Sequence, residues 1–410
     1  MSESASIPAH IPPSLVYDFD MFHGAEYVAD PHRHILDMIG KAPSIFWTPR
    51  NGGHWVLMSH EANFEAARDT QDFSSELIPH DKLLAILASL PPDAPRIPLS
   101  YPINLDPPLH GKYRQPLQRV FSPKTVNMLK DSIRDLAAEL IDKVVDQGHC
   151  EFMAAVAEPL PVQVFLKMLG LPVEKQAEYR ALVRNHLSQT GEEQALLVMQ
   201  QVAEAMRETI LDRRENPRDD IISLLWSVDI DGKPTTLEDI ENYGVLLFIA
   251  GLDTVMQGMG HGMRHLAQNA DLQATLRANP ERIHDATEET LRRFTFTVPP
   301  RRVGRDLEFQ GVTMKADERA MLFLPAANLD PEEFSQPDRF DLEREKKVHI
   351  AFNAGPHRCL GSHLARLELE IMYEQWLARV PVFRLDPARP PTFHCGHVIG
   401  VDTLHLIWDD

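Results

Sequence analysis

The chain has 410 residues, a length that alone would favour two or three domains. Its 43% hydrophobic and 25% charged residues are ordinary globular proportions, which exclude a disordered chain, a collagen-like repeat and an extended coiled coil. With 41 basic and 60 acidic residues the formal net charge is −19, which argues against nucleic acid or an anionic membrane as main partner.

The opening stretch, MSESASIPAHIPP, is polar and proline-bearing and lacks the apolar centre of a secretory signal. His54–Met58 (HWVLM) is the first strand candidate. Residues 125–146 place Met128, Ile133, Leu136, Leu140, Ile141 and Val144 near the helical period, and 195–214 repeats the pattern before the Pro217 break. From about 237 to 268 the spacing predicts a long helix with an unusually apolar middle, with Thr236 as N-cap ahead of Glu238 and Asp239. Its longest apolar run, Val245 to Leu252, is too short to span a bilayer. A further helix at 281–294 is stopped by Pro299-Pro300.

Short strands are expected at Leu307–Phe309, Met321–Leu324 and Leu404–Trp408. Between them, Asn328 to Leu342 (NLDPEEFSQPDRFDL) reads as a long irregular connector, either functional or pinned by its own side chains. No repeat and no Gly/Ser-rich linker divides the chain. The expectation is one large domain over 1–410, mainly α with a small β portion (α+β).

Cys150, Cys359 and Cys395 are an odd number with no close pair, which speaks against a disulfide framework or a zinc knuckle and for a soluble cytoplasmic protein. Cys359 stands between two glycines in FNAGPHRCLG (352–361), ahead of a helical pattern at Leu364, Leu367 and Ile371. This suits a thiolate metal ligand. Glycines let the backbone approach and its N–H groups bond the sulfur, while a helix N-terminus lowers the thiol pKa. The bland alternative is a buried structural cysteine.

The loop resembles the haem-binding loop of cytochrome P-450 monooxygenases, with Phe352, Gly355, Cys359 and Gly361 at the family's spacing. Three more motifs stand in the family's order. They are Ala250-Gly251-Leu252-Asp253-Thr254 (oxygen-binding helix), Glu289-Thr290-Leu291-Arg292 (Glu-x-x-Arg) and Pro337-Asp338-Arg339-Phe340 (meander). LVYDFDMF, NGGHW, FSSE and GLDTV resemble the camphor hydroxylase group of bacterial class I enzymes.

The resemblance implies the P-450 fold, haem b (iron protoporphyrin IX) and Cys359 as axial iron ligand. It places Gly251 and Phe352 against the cofactor, and His110, Arg114, Arg301 and His357 on its propionates, where buried carboxylates need charged donors. Thr254 would hydrogen-bond oxygen and Asp253 would relay protons, against the bland reading that Thr254 bonds the carbonyl four residues back. A basic residue that pairs with this aspartate in the group is replaced in Leu182–Gln189 by serine, with Arg180 and Arg184 near. Glu289, Arg292 and Arg339 would form a structural ion cluster.

The tyrosine that bonds a substrate ketone in the camphor enzymes falls on Pro98 or Ala94, neither a donor, with Tyr101 the nearest alternative. Leu246, Ile249, Thr297 and Val398 would line an apolar pocket suited to a cyclic terpenoid or norisoprenoid such as an ionone, with camphor second. The resemblance further implies O2 as co-substrate, a monomer, and electrons from a [2Fe–2S] ferredoxin fed by an NADH-dependent reductase. Lys112, Arg114, Lys346, Lys347 and Arg358 would make its docking patch. The rivals are a haem-thiolate peroxygenase or isomerase, which often lacks the acid–alcohol pair, and a non-catalytic haem sensor.

Overall fold

In the computed structural model, residues 4–91, 96–187, 192–345 and 348–409 are described, without the side chains of 183–195. Seven helices matter to the site: α1 (Leu109–Val120), α2 (Lys130–Asp142), α3 (Pro159–Leu169), α4 (Leu237–Leu252), α5 (Thr254–Ala267), α6 (Ile283–Arg293) and α7 (Ser362–Arg379). In α2 the apolar positions foreseen from periodicity, Ile133, Leu136, Leu140 and Ile141, are all buried, and the helix packs along α7. The wider 125–146 segment is not one helix: it is cut after Pro123–Asn127 and resumes at Lys130.

The long helix predicted at 237–268 is present, and Thr236 caps it. The Thr236 side chain accepts from Asp239 N while the Asp239 carboxylate accepts from Thr236 N, a reciprocal capping box. It is broken at Asp253, whose φ of −111° separates α4 from α5. By length and composition Leu237–Ala267 could cross a bilayer, which the short apolar run did not suggest. Its apolar window is 61% buried inside the protein, as befits a core helix.

Five short strands form the main sheet: β1 (Ile45–Thr48), β2 (His54–Leu57), β3 (Phe73–Ser74), β4 (Pro300–Val303) and β5 (Arg319–Leu322). Their order is β1-β2-β5-β4-β3, with β5 parallel to β2 and the other pairs antiparallel. The strand expected at Met321–Leu324 sits two residues earlier, because Leu324-Pro325 opens a short helix. A hairpin of β6 (Thr392–His394) and β7 (Gly400–Thr403) packs against α5. Helix around small sheets gives the mainly α, small β architecture that the sequence implied.

Candidate active site

The cysteine loop is closed by the Cys359 N–H, which donates to Phe352 O at 2.8 Å. Two left-handed residues, Asn353 (φ 61°) and Gly355 (φ 65°), make the turn, and a Cβ at Gly355 would run into the Ala67 carbonyl. Gly361 ends the loop just before α7, and its N–H bonds the Cys359 sulfur. Cys359 keeps accessible surface at the end of the loop. Burial raises the thiol's pKa, opposed by the Gly361 N–H and by Arg114, Arg358 and Arg366. The expected lowering by the helix end is therefore overridden: desolvation of a lone thiolate outweighs one N–H and three distant cations.

Four cationic or donor side chains gather beside this loop. His110 and Arg114 stand one turn apart on α1, Arg301 comes from β4, and His357 from the loop. His110 is 3% exposed, its ring 4.2 Å from that of His357, and Arg114 Nη2 donates to Arg358 O at 2.6 Å. Burial lowers the His357 pKa to about 2, helped by Arg301, His110 and Arg114. Burial likewise holds His110 at about 4 and Arg301 at about 10. Arg301 Nη2 and His357 Nε2 are buried without hydrogen-bond partners. Asp106 stands 3.9 Å from His357 Nε2 and its charge acts on Arg301, yet neither buried nitrogen is hydrogen-bonded, which leaves room for a further acceptor.

Thr254 Oγ1 donates to Ala250 O at 2.9 Å, the back-bond foreseen as the bland alternative. Asp253 is 4% exposed: Oδ1 accepts from Gln257 Nε2 at 3.0 Å, while Oδ2 is buried and unpartnered. Burial raises its pKa, opposed by Gln257 and the charge of His394. Leu246, Ile249, Ala250 and Thr254 share one face of the helix pair and keep accessible surface. Gly251 is not on that face. The space of its missing side chain is filled by the Phe165 ring of α3, so a side chain there would collide with that helix.

Thr297 and Val398 meet across an isolated antiparallel bridge, and His261 of α5 holds the adjoining strand through Ile399 O at 2.8 Å. Phe352 carries the Arg366 guanidinium over its ring at 4.6 Å. Tyr101 stands near the start of α4. It packs on Tyr113 (4.9 Å) in a cleft of about 370 Å³ with Leu84, Leu99, Asp239 and Asn242. Pro98 lines a surface cleft with Arg96, Arg207 and Glu241, while Ala94 lies outside the described residues.

The ion cluster under the loop differs from expectation in one member. Arg292 grips Glu289 through two bonds of 2.8 Å, and the third residue is Arg344, whose Nε donates to Glu289 at 3.1 and 3.3 Å. Arg339 contributes only its carbonyl; its side chain is 63% exposed. Arg344 also bonds Ser335 O, Gln336 O and Arg339 O, so one buried guanidinium threads the irregular connector. The signal missed was the arginine four residues after Phe340 (FDLER).

A thiol in a glycine loop, beside a cluster of buried cationic and imidazole side chains and with a broken polar point in an apolar helix, fits a haem-thiolate enzyme. The comparisons agree. A family model for cytochrome P450 matches residues 186–401. Steroid C26-monooxygenase of Mycobacterium tuberculosis (strain ATCC 25618 / H37Rv) is 32% identical over 95% of this chain and 97% of its own. Linalool 8-monooxygenase of Pseudomonas putida is 26% identical, covering 92% and 95%. The crystal structure of CYP101J2 superposes with a TM-score of 0.87 at 31% identity, over 99% of this chain and 100% of that one.

The chain belongs to the cytochrome P450 family, as a P450 monooxygenase that binds haem b through a cysteine thiolate. Its residues fit the cofactor. Arg301 Nη2 and His357 Nε2 are buried without partners, and two propionates would supply them.

Proposed function

We propose that this chain hydroxylates a small cyclic terpenoid or norisoprenoid, ionone-like before camphor, using O2 and electrons from a [2Fe–2S] ferredoxin, and works as a cytoplasmic monomer. Haem supplies the oxygen-activating chemistry. Cys359 holds it by the sulfur, and His110, Arg114, Arg301 and His357 orient it by its carboxylates. Thr254, by turning its hydroxyl away from Ala250 O, offers a hydrogen bond on the open face. Asp253, through Oδ2, accepts and returns protons there.

The substrate choice rests on the lining read from the sequence. Leu246, Ile249, Thr297 and Val398 are part-buried, with Thr297 and Val398 paired across a bridge, and the position of the ketone-binding tyrosine is taken by Pro98 or Ala94. Loss of one neutral hydrogen bond to a ketone weakens binding by roughly 1 kcal/mol, about fivefold. Apolar surface on a larger terpenoid offsets this at ~25 cal/mol per Å². The linalool-oxidising relative supports a terpenoid, and the steroid-oxidising one supports a largely apolar polycyclic ligand.

The test is an optical titration of the ferric protein with β-ionone and camphor side by side. A full Soret shift with β-ionone and a partial one with camphor is expected. A tight, complete shift with camphor would overturn the pocket argument.

The ferredoxin would dock beside the cysteine loop. Arg358 is exposed there, but Lys112 is bound to Asp231 at 2.9 Å, Arg114 is turned inward, and Lys346 and Lys347 lie outside the described residues. Arg358 is thus the cation this reading depends on.

A further inference from the structure

Asp253 is a buried carboxyl with one oxygen unpartnered, and no cation is hydrogen-bonded to it among the described side chains. Arg180 is bound to Glu158, and the stretch where the sequence offered serine lies partly outside the described residues. What does approach Asp253 comes from the other side. Gln257 Nε2 donates to Asp253 Oδ1 at 3.0 Å, and Gln257 Oε1 accepts from Val401 N at 2.7 Å. One side chain thereby fastens the α4–α5 break to strand β7. In the β6–β7 register His394 lies opposite Gly400 and Phe393 opposite Val401.

The His394 ring covers Gly400 so closely that any Cβ there would collide with it. Its Nδ1 is 2.6 Å from Asp402 Oδ1, and the Asp402 side chain is 47% exposed. Its Nε2 is buried without a partner, as is Asp253 Oδ2. Both orphaned atoms belong to elements tied by a single glutamine, and the charge of each group acts on the other.

We propose that His394, held by Asp402, is the basic partner of Asp253 in this chain: a positioning pair that reaches solvent through the β6–β7 hairpin and sets how readily Asp253 accepts a proton. It rests on the reading that Asp253 handles protons. The electrostatics agree. Burial opposes a charge on His394, but the Asp402 hydrogen bond and charge, with the charge of Asp253, outweigh it and raise the imidazole pKa.

Other groups facing this point stay silent near neutrality. His261 on α5 is held neutral by burial, at about 4. Cys395, next along the hairpin, is pushed up to about 12, and Arg264, over the Phe393 ring, pairs with Asp30 at 3.2 Å. The group whose charge changes is then His394. Below its pKa the imidazolium stabilises the Asp253 carboxylate; above it that support is withdrawn.

Two readouts test this. In the diamagnetic ferrous carbon monoxide complex, a 15N titration of the histidine rings should place His394 above the ordinary ~6.5. Asp402→Asn and Asp253→Asn should each lower it; an unmoved pKa in D253N overturns the coupling. In turnover with β-ionone, a surrogate ferredoxin and its reductase, peroxide released per NADH should rise with pH through that pKa. One pKa unit on Asp253 is a tenfold change in its protonation ratio.

H394Q should lose the pH step and uncouple at every pH, whereas H394K, charged throughout, should stay coupled at high pH. A ring needed only for packing would leave H394K as poor as H394Q. If D253N itself remains coupled, the reading of Asp253 fails. If D253N uncouples while H394Q behaves as wild type, only the present inference fails. Should H394Q not retain haem, the His394 pKa in D402N and D253N decides.

Discussion

Arg344 gives the sharpest test of how the cysteine loop is supported. Its guanidinium makes two contacts to Glu289 and reaches three backbone carbonyls, at 335, 336 and 339, while only 6% of its side chain is exposed. Removing one partner of a buried charge costs about 3–5 kcal/mol. Glu289 would still keep Arg292 and the Asp341 N–H at 3.0 Å, which puts R344A near the low end of that range. Total stability of about 5–15 kcal/mol makes even that loss large.

Arg339 is the control. Among the described residues its exposed side chain reaches Gln336 at 3.4 Å and Asp341 at 3.9 Å, so R339A should cost less than about 1 kcal/mol. R344K keeps the charge but loses the planar fork and should fall between. The assay is urea unfolding of the haem-loaded protein, read by Soret absorbance and by far-ultraviolet circular dichroism. A loss in R339A equal to that in R344A, or an unchanged midpoint in R344A, would refute the assignment.

Four further outcomes follow from the same geometry. Gly355→Ala forces a Cβ onto the Ala67 carbonyl at positive φ and should cost over ~1 kcal/mol and lower haem content, measured as Soret absorbance per protein. Thr254→Ala should keep oxygen and NADH consumption but release more peroxide and less product; unchanged coupling would remove Thr254 from the chemistry. Arg358→Glu should raise KM for ferredoxin and weaken its salt dependence, with kcat at saturating ferredoxin little changed. His54, His261 and His265 are held by burial at about 4, against ~6.5 unfolded. The unfolded chain binds protons first, so stability falls as pH drops from about 6.5 towards 4, by up to ~1.4 kcal/mol per unit for each ring. H265F, which keeps the packing on Phe340 and Phe294, should make that fall shallower.

Much of this site was legible because its signals are local. The Thr236 cap, the α2 apolar face and the glycines around Cys359 are each decided within a few residues. Arg344 was not, since which arginine of an irregular connector becomes buried depends on how that connector folds back over Glu289. β1 and β4 also escaped notice. All four residues of β1 are buried and so show no alternation, while β4 begins on a proline that read as a helix stop. Gly251 carries a constraint no local pattern shows: the ring of Phe165, more than eighty positions earlier in the sequence, fills the space a side chain would need.

The most direct test of the account is the turnover of β-ionone by the ferredoxin-supported enzyme under 18O2. Hydroxylated ionone carrying one 18O atom, with NADH consumption close to product formed, is predicted. Product without the label, or faster turnover with peroxide than with ferredoxin, would contradict it.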